Sequence, residues 1–383
     1  MKISNNGVTK PKGFFASGIS SGIKRSGKKD LALIYSTKLA SCFGVFTNNK
    51  IVAAPLKVTQ THLKDHKAQA IIINSGNANC FTRKQGFKDA VLITKMVAKN
   101  LQISSKDVLV ASTGIIGKRL PVDKIKKAVF LLVKKLSTTG SRDANLAIMT
   151  TDKITKGIAA SFKIGAKTVN IGAIAKGAGM IYPHLVSRHA TMLCFITTDV
   201  NISPPALKTA LVTAVNQSFN CISVDGCTST NDMVLILANG SANNPMLKIN
   251  TNGFARLQNA LNFVCLYLAK KIVEDAEGAT KFIQIEIKGG RSYSEAKTAG
   301  FAIANSSLFK TACYGNDPNW GRIVAALGSS GVNIDENRLN IKFSSFRKKN
   351  IKVIVNLNQG NKTATVYTSD LSPEYIRINA AYN

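Results

Sequence analysis

Ala190-Thr191 stands immediately before the apolar run Met192-Leu193-Cys194-Phe195-Ile196. Five apolar residues in a row make a strand buried on both faces, with Thr191 at its first position. A hydroxyl there admits two readings, a plain strand-start residue or a nucleophile. Because a threonine hydroxyl is a poor nucleophile without a base beside it, its neighbours in the sequence must decide. Upstream lies Ala175-Lys176-Gly177-Ala178-Gly179-Met180, a glycine-rich turn with one lysine. Further upstream, two short apolar strands end in small polar residues. Ile71-Ile72-Ile73 runs into Asn74-Ser75-Gly76-Asn77-Ala78-Asn79-Cys80, and Val108-Leu109-Val110-Ala111 into Ser112-Thr113-Gly114-Ile115-Ile116-Gly117. Small polar groups at the end of a buried strand are typical of site loops.

The elements that must hold these loops alternate between strand and helix, which predicts an α/β or α+β architecture. Val122, Ile125, Val129, Leu132 and Leu136 recur at helical spacing between Pro121 and Leu136, with lysines opposite. Ser203-Pro204-Pro205 opens a helix carrying Leu207, Leu211, Ala214 and Val215, since proline suits a first turn. Phe254 to Asp275 is a long helix, and Ser292 with Glu295 has capping-box spacing before another. Ile283, Ile285 and Ile287 alternate with polar residues, so that strand is half-buried; Ile351, Val353, Val355 and Leu357 form one more.

The chain has 383 residues, 45% of them hydrophobic, enough for a sizeable core in two domains or one large interlocked body. No apolar run is long enough to cross a bilayer, and Met1-Lys2-Ile3-Ser4-Asn5 lacks the apolar block of a signal peptide, so the cytoplasm is the expected compartment. Seven cysteines without CxxC spacing and four histidines apart from them point to free thiols, with no metal site or disulfide framework. The formal charge is +31. The lysines are spread along the whole chain with no aromatic-interleaved basic stretch, so the expectation is a solvated lysine-rich surface and no nucleic-acid partner.

Together with Ser223-Val224-Asp225-Gly226-Cys227-Thr228-Ser229-Thr230-Asn231-Asp232 and Tyr314-Gly315-Asn316-Asp317-Pro318-Asn319-Trp320-Gly321-Arg322, the motifs above resemble the ornithine acetyltransferase family, also called glutamate N-acetyltransferase. The resemblance runs from Pro11-Lys12-Gly13-Phe14 to Tyr375-Ile376-Arg377-Ile378-Asn379-Ala380, almost the whole chain, with separate motifs matching in order.

It implies an α/β, N-terminal-nucleophile-like layered fold of the ornithine acetyltransferase/DmpA type. It also implies self-cleavage between Ala190 and Thr191 into residues 1–190 and 191–383, two chains that stay together in a heterotetramer of two pairs. The Thr191 hydroxyl makes the cut. The α-amine set free, with an unperturbed pKa of about 7.7–8.0, then takes the hydroxyl proton near neutral pH. Thr113 through its hydroxyl and Gly114 through its N–H stabilise the oxyanion, at ~3–4 kcal/mol per donor. Lys176, Glu277, Asn379 and Thr150 (with Thr151 hard to exclude) contact substrate. The implied reaction is ping-pong: N-acetylornithine acetylates Thr191, ornithine leaves, and glutamate takes the acetyl group, a step of arginine biosynthesis. No metal or organic cofactor is implied, and some family members also accept acetyl-CoA.

Two features depart from the family pattern. Six residues, His184 to His189, separate Pro183 from Ala190, about four more than the family carries, and a longer loop relaxes the strain that self-cleavage uses. The chain also ends at Asn383 without the family's last substrate-contacting threonine. Two other functions compete: a related N-terminal-nucleophile amidase or aminopeptidase that passes the acyl group to water, and a basic nucleic-acid-binding protein with a vestigial site.

Overall fold

The computed structural model describes residues 1–183 and 192–381. They divide into two units, Met1–Gly177 with Pro183–Asn220 and Thr228–Leu268, and Ala178–Tyr182 with Cys221–Cys227 and Ala269–Asn383. Ala190 and Thr191 lie outside the described residues, as do the other residues of 184–191.

The first unit is built on a sheet with nine strands among the described residues: β1 (Lys2–Ser4), β2 (Phe14–Ile19), β3 (Leu31–Phe46), β4 (Lys67–Asn77), β5 (Val108–Ile115), β6 (Lys156–Ile164), β7 (Lys167–Lys176), β8 (Leu193–Thr198) and β9 (Met233–Ala238). Their order is β1-β6-β7-β8-β9-β3-β4-β5, with β2 paired to β3. The helices are α1 (Ala54–His62), α2 (Arg83–Leu101), α3 (Val122–Lys134), α4 (Ser141–Ile148), α5 (Pro204–Asn216) and α6 (Asn252–Glu274), the last belonging to this unit through Leu268.

Period-2 alternation splits the strands between two cores. Ile71 and Ile73 of β4, Leu109 and Ala111 of β5, Ile174 of β7 and Leu193 and Phe195 of β8 share one core with Ala144, Ala147 and Ile148 of α4. Ala70, Ile72, Val108 and Val110 share the other with Ala90, Ile93 and Val97 of α2 and Ile125, Val129 and Leu132 of α3. A sheet covered on both faces explains the unbroken apolar runs, and all six residues of β8 are buried.

In the second unit, β10 (Phe282–Gly290), β11 (Asn340–Phe343), β12 (Asn350–Asn356) and β13 (Lys362–Ser369) make a four-stranded sheet in the order β11-β12-β10-β13. Ile283, Ile285 and Ile287 are its buried row, packed with Ala296, Ala299 and Ile303 of α7 (Tyr293–Ala304), Phe309 of α8 (Ser307–Tyr314) and Ile323 of α9 (Gly321–Gly328). The expected cap of α7 is present: Ser292 Oγ accepts from Glu295 N at 3.0 Å, and Glu295 Oε2 accepts from Arg291 N at 2.6 Å. A last helix, α10, spans Pro373–Ala380. Among the described residues, no helix is long and apolar enough to cross a membrane.

Candidate active site

β4 and β5 run parallel, and their ladder changes register where both strands reach glycine: Gly76 faces Gly114, while Thr113 faces Ser75 and then Asn77. Gly114 has φ +132°, in the left-handed region, and a Cβ there would meet the carbonyl carbon of Gly76 at 2.4 Å. Only glycine fits, so Gly114 is fixed by the close approach of two backbones.

Hydrogen bonds brace this turn from several directions. Ser112 Oγ donates to Asn74 Oδ1 at 2.5 Å, and Asn74 Nδ2 donates to the Asn77 carbonyl at 2.8 Å. Asn77 Nδ2 reaches the carbonyls of Lys118 and Arg119, at 3.2 and 3.1 Å. Asn231, just before β9, ties Ala78 to Ser112 by donating to both carbonyls, at 2.6 and 2.8 Å. The asparagine-rich motif is therefore mostly scaffold: side-chain amides satisfy backbone groups that leave the ladder. The half-buried Thr113 hydroxyl is different, having no hydrogen-bond partner among the described residues.

Lys176 ends β7 in the row of Ile174, and it faces Leu193, the first residue of β8. Its ammonium donates to Thr150 Oγ1 at 2.7 Å and lies 3.9 Å from Asp152 Oδ2. Of the two neighbouring threonines, Thr150 is the one bonded to Lys176. Asp152 holds this arm together. Its Oδ1 accepts from Lys156 Nζ and from Gly177 N, both at 2.7 Å, and its Oδ2 accepts from Thr150 N at 2.9 Å. Burial opposes its charge, but the Lys176 and Lys156 ammoniums and the Gly177 N–H outweigh burial and hold the carboxyl below its usual range. Sequence reasoning passed over Asp152, although Thr150 lies two residues away.

Another buried carboxyl is Asp232, the last residue of the Ser223–Asp232 motif. Met233 N donates to the Met192 carbonyl at 2.8 Å, so Asp232 precedes the residue that pairs with the start of β8. It is 4% exposed, and its Oδ2 has no hydrogen-bond partner among the described residues. Burial pushes its pKa well up; Lys176 and a hydrogen bond from Ser229 pull the other way without reversing it.

In the second unit, Glu277 and Asn379 come together. Glu277 is 7% exposed, and its Oε2 accepts from Asn379 Nδ2 at 2.8 Å. Its own N–H donates to the Ala178 carbonyl at 2.9 Å. Its carboxylate packs on Gly179, where a Cβ would lie 2.2 Å from Oε2, so the glycine of the Lys-Gly-Ala-Gly motif makes room for the acid. Asp225 holds the following residues by accepting from Met180 N and Ile181 N, at 2.6 and 2.9 Å.

The ArgJ family model matches residues 15–383. The arginine biosynthesis bifunctional protein ArgJ of Oceanobacillus iheyensis is 43% identical over 99% of this chain and 97% of its own. The glutamate N-acetyltransferase of Methanocaldococcus jannaschii is 43% identical over 100% of both chains. A solved chain of the Mycobacterium tuberculosis ornithine acetyltransferase, complexed with ornithine, is 39% identical; it aligns with 48% of this chain and 99% of its own, at a TM-score of 0.46. The residues matched by the family model include every site residue named above, and the chain belongs to the ArgJ family.

Proposed function

We propose that this chain transfers the acetyl group of N-acetylornithine to glutamate in arginine biosynthesis, through an acetyl-Thr191 intermediate formed after cleavage at Ala190–Thr191. Family membership supports the reaction. The observation that carries the chemistry is the Thr113 hydroxyl: it has no hydrogen-bond partner among the described residues, and it stands beside a backbone at Gly114 that no other residue would permit. Donors fixed before charge develops are what an acyl-transfer oxyanion requires.

In the proposed cycle the Thr191 oxygen adds to the acetyl carbonyl, and its proton passes to the α-amine of the same residue. Thr113 and Gly114 donate to the oxyanion. When the C–N bond breaks, the ornithine amine takes that proton and leaves. The glutamate amine then attacks the ester, and the threonine oxygen regains a proton as N-acetylglutamate departs. Lys176 with Thr150, and Glu277 with Asn379, supply the cation and the anion that amino-acid substrates call for. The two pieces, 1–190 and 191–383, remain associated, as two pairs, in the cytoplasm, where free thiols persist.

Intact mass before and after N-acetylornithine tests this. The expected result is one acetyl group on the piece beginning at Thr191, removed by glutamate with formation of N-acetylglutamate. Loss of the adduct to water at the same rate with and without glutamate would mark an amidase instead.

A further inference from the structure

Lys24 lies in the loop between β2 and β3, 152 residues before Lys176 in sequence and in no motif singled out above. Its loop is wound on Asp30, which is 0% exposed: Asp30 Oδ1 accepts from Ser21 N at 2.6 Å and from Ser21 Oγ at 2.8 Å, and Oδ2 accepts from Lys24 N at 2.9 Å. From this anchor the side chain does two things. Its stem covers Gly76: a Cβ built on Gly76 would stand 3.0 Å from Lys24 Cγ, and the backbone of Gly76 is what presses on Gly114. Its ammonium donates to the Lys29 carbonyl at 2.8 Å and to the Met149 carbonyl at 2.7 Å. Met149 is the C-terminal cap of α4 and the residue before Thr150, so a cation there also meets the negative end of the helix.

We infer that Lys24 is a positioning residue for acetyl transfer, a single side chain that keeps the Gly76–Gly114 turn and the Met149–Thr150 arm in register. The inference rests on the function proposed above. Neither Thr113 nor Lys176 touches Lys24 through a hydrogen bond; it acts on them through the backbone they stand on. A displacement of an ångström at a reacting centre costs about a hundredfold in rate, so register between donor and substrate arm is worth holding.

The charge of Lys24 is poised to change. Burial lowers its pKa to about 8; Asp30 on its own loop and Asp152 after α4 raise it, while Lys176 of β7 and Lys28 lower it further. On the neighbouring helix α3, Lys124 donates to the Gly22 carbonyl at 2.6 Å. Loss of the proton as pH rises past about 8 replaces charge-assisted hydrogen bonds by weaker neutral ones.

The test uses the cleaved wild-type enzyme, Lys24→Arg and Lys24→Met. Acetyl-enzyme burst amplitude counts working sites, and the burst rate reports each site. For Lys24→Met at pH 7 the burst rate is expected to fall roughly ten- to a hundredfold, with glutamate-driven deacetylation slowed by a similar factor. Wild type should show an alkaline limb in the burst rate near pH 8. Lys24→Arg should restore the rate and lose that limb, because arginine stays charged. A reduced amplitude with a wild-type rate per site would make Lys24 a plain structural prop and overturn the inference. So would an alkaline limb unchanged in Lys24→Arg, a result readable even if Lys24→Met does not fold. Absence of any acetyl adduct in wild type would remove the reaction itself, and with it the ground for a positioning role.

Discussion

Lys156 has a side chain with no exposure, and Asp152, equally buried, carries its counter-charge. Replacing Asp152 by asparagine takes that charge away while Lys156 stays in the interior. The expected cost is about 3–5 kcal/mol, read as a lower urea midpoint at pH 7. Asp152 has a depressed pKa in the folded protein, so the stability it contributes is present above its unfolded pKa of about 3.9. That stability is lost as pH falls toward the lower folded value, and the variant should lose this acid dependence. Asp232 has the opposite sign. Its pKa is raised, so folding favours the protonated form, and the penalty grows as pH rises above about 4. Asp232→Asn, which keeps the shape without the charge, should therefore stabilise the protein at neutral pH. The gain should vanish below pH 4, as a pH series of denaturation midpoints would reveal. If Lys176 and Glu277 hold substrate as proposed above, Lys176→Ala and Glu277→Ala should each lose ~1.5–3 kcal/mol of transition-state binding, measured as kcat/KM, with the fold intact by circular dichroism.

At the scale of elements, Gly114→Ala is the sharpest probe of the β4–β5 turn. A methyl group at φ +132° and 2.4 Å from the Gly76 carbonyl carbon forces the two strands apart. In the reaction proposed above, we expect acetylation of Thr191 to slow by at least about a hundredfold, by burst kinetics, because the N–H at position 114 is moved away from the developing oxyanion. The strands themselves were legible because burial imposes a pattern: Ile71–Ile73 and Val108–Ala111 read as buried runs since helices cover both sheet faces. Helices α3, α5 and α6 lie within two residues of their sequence-derived limits, where proline or polar caps mark the ends. The supporting residues were harder to see, for a physical reason. Asn231 braces Ser112 across 119 positions, and Lys24 reaches Met149 across 125. No local pattern encodes a partner that distant. Asp152 and Lys156, four residues apart, resemble an ordinary surface ion pair; the one hint of burial is that Lys156 opens the apolar strand β6.

For the whole molecule, cleavage predicts two pieces, 1–190 and 191–383, in the mass spectrum, and a single chain for Thr191→Ala. The sheet order adds something that the chemistry does not require. Strands β8 and β9 belong to the later piece, yet they stand between β7 on one side and β3 on the other, both from the earlier piece. A cut before residue 191 thus changes the molecularity of folding while leaving the sheet whole. The uncut protein unfolds to one chain, the cut protein to two, and the later piece cannot depart without opening hydrogen-bonded ladders along both of its flanks. The midpoint of urea unfolding should then rise with protein concentration for the cleaved enzyme and stay constant for Thr191→Ala. Once diluted and unfolded, the cleaved enzyme should refold at a rate that depends on its two fragments meeting, so that a step completed within one chain at synthesis becomes second-order ever after.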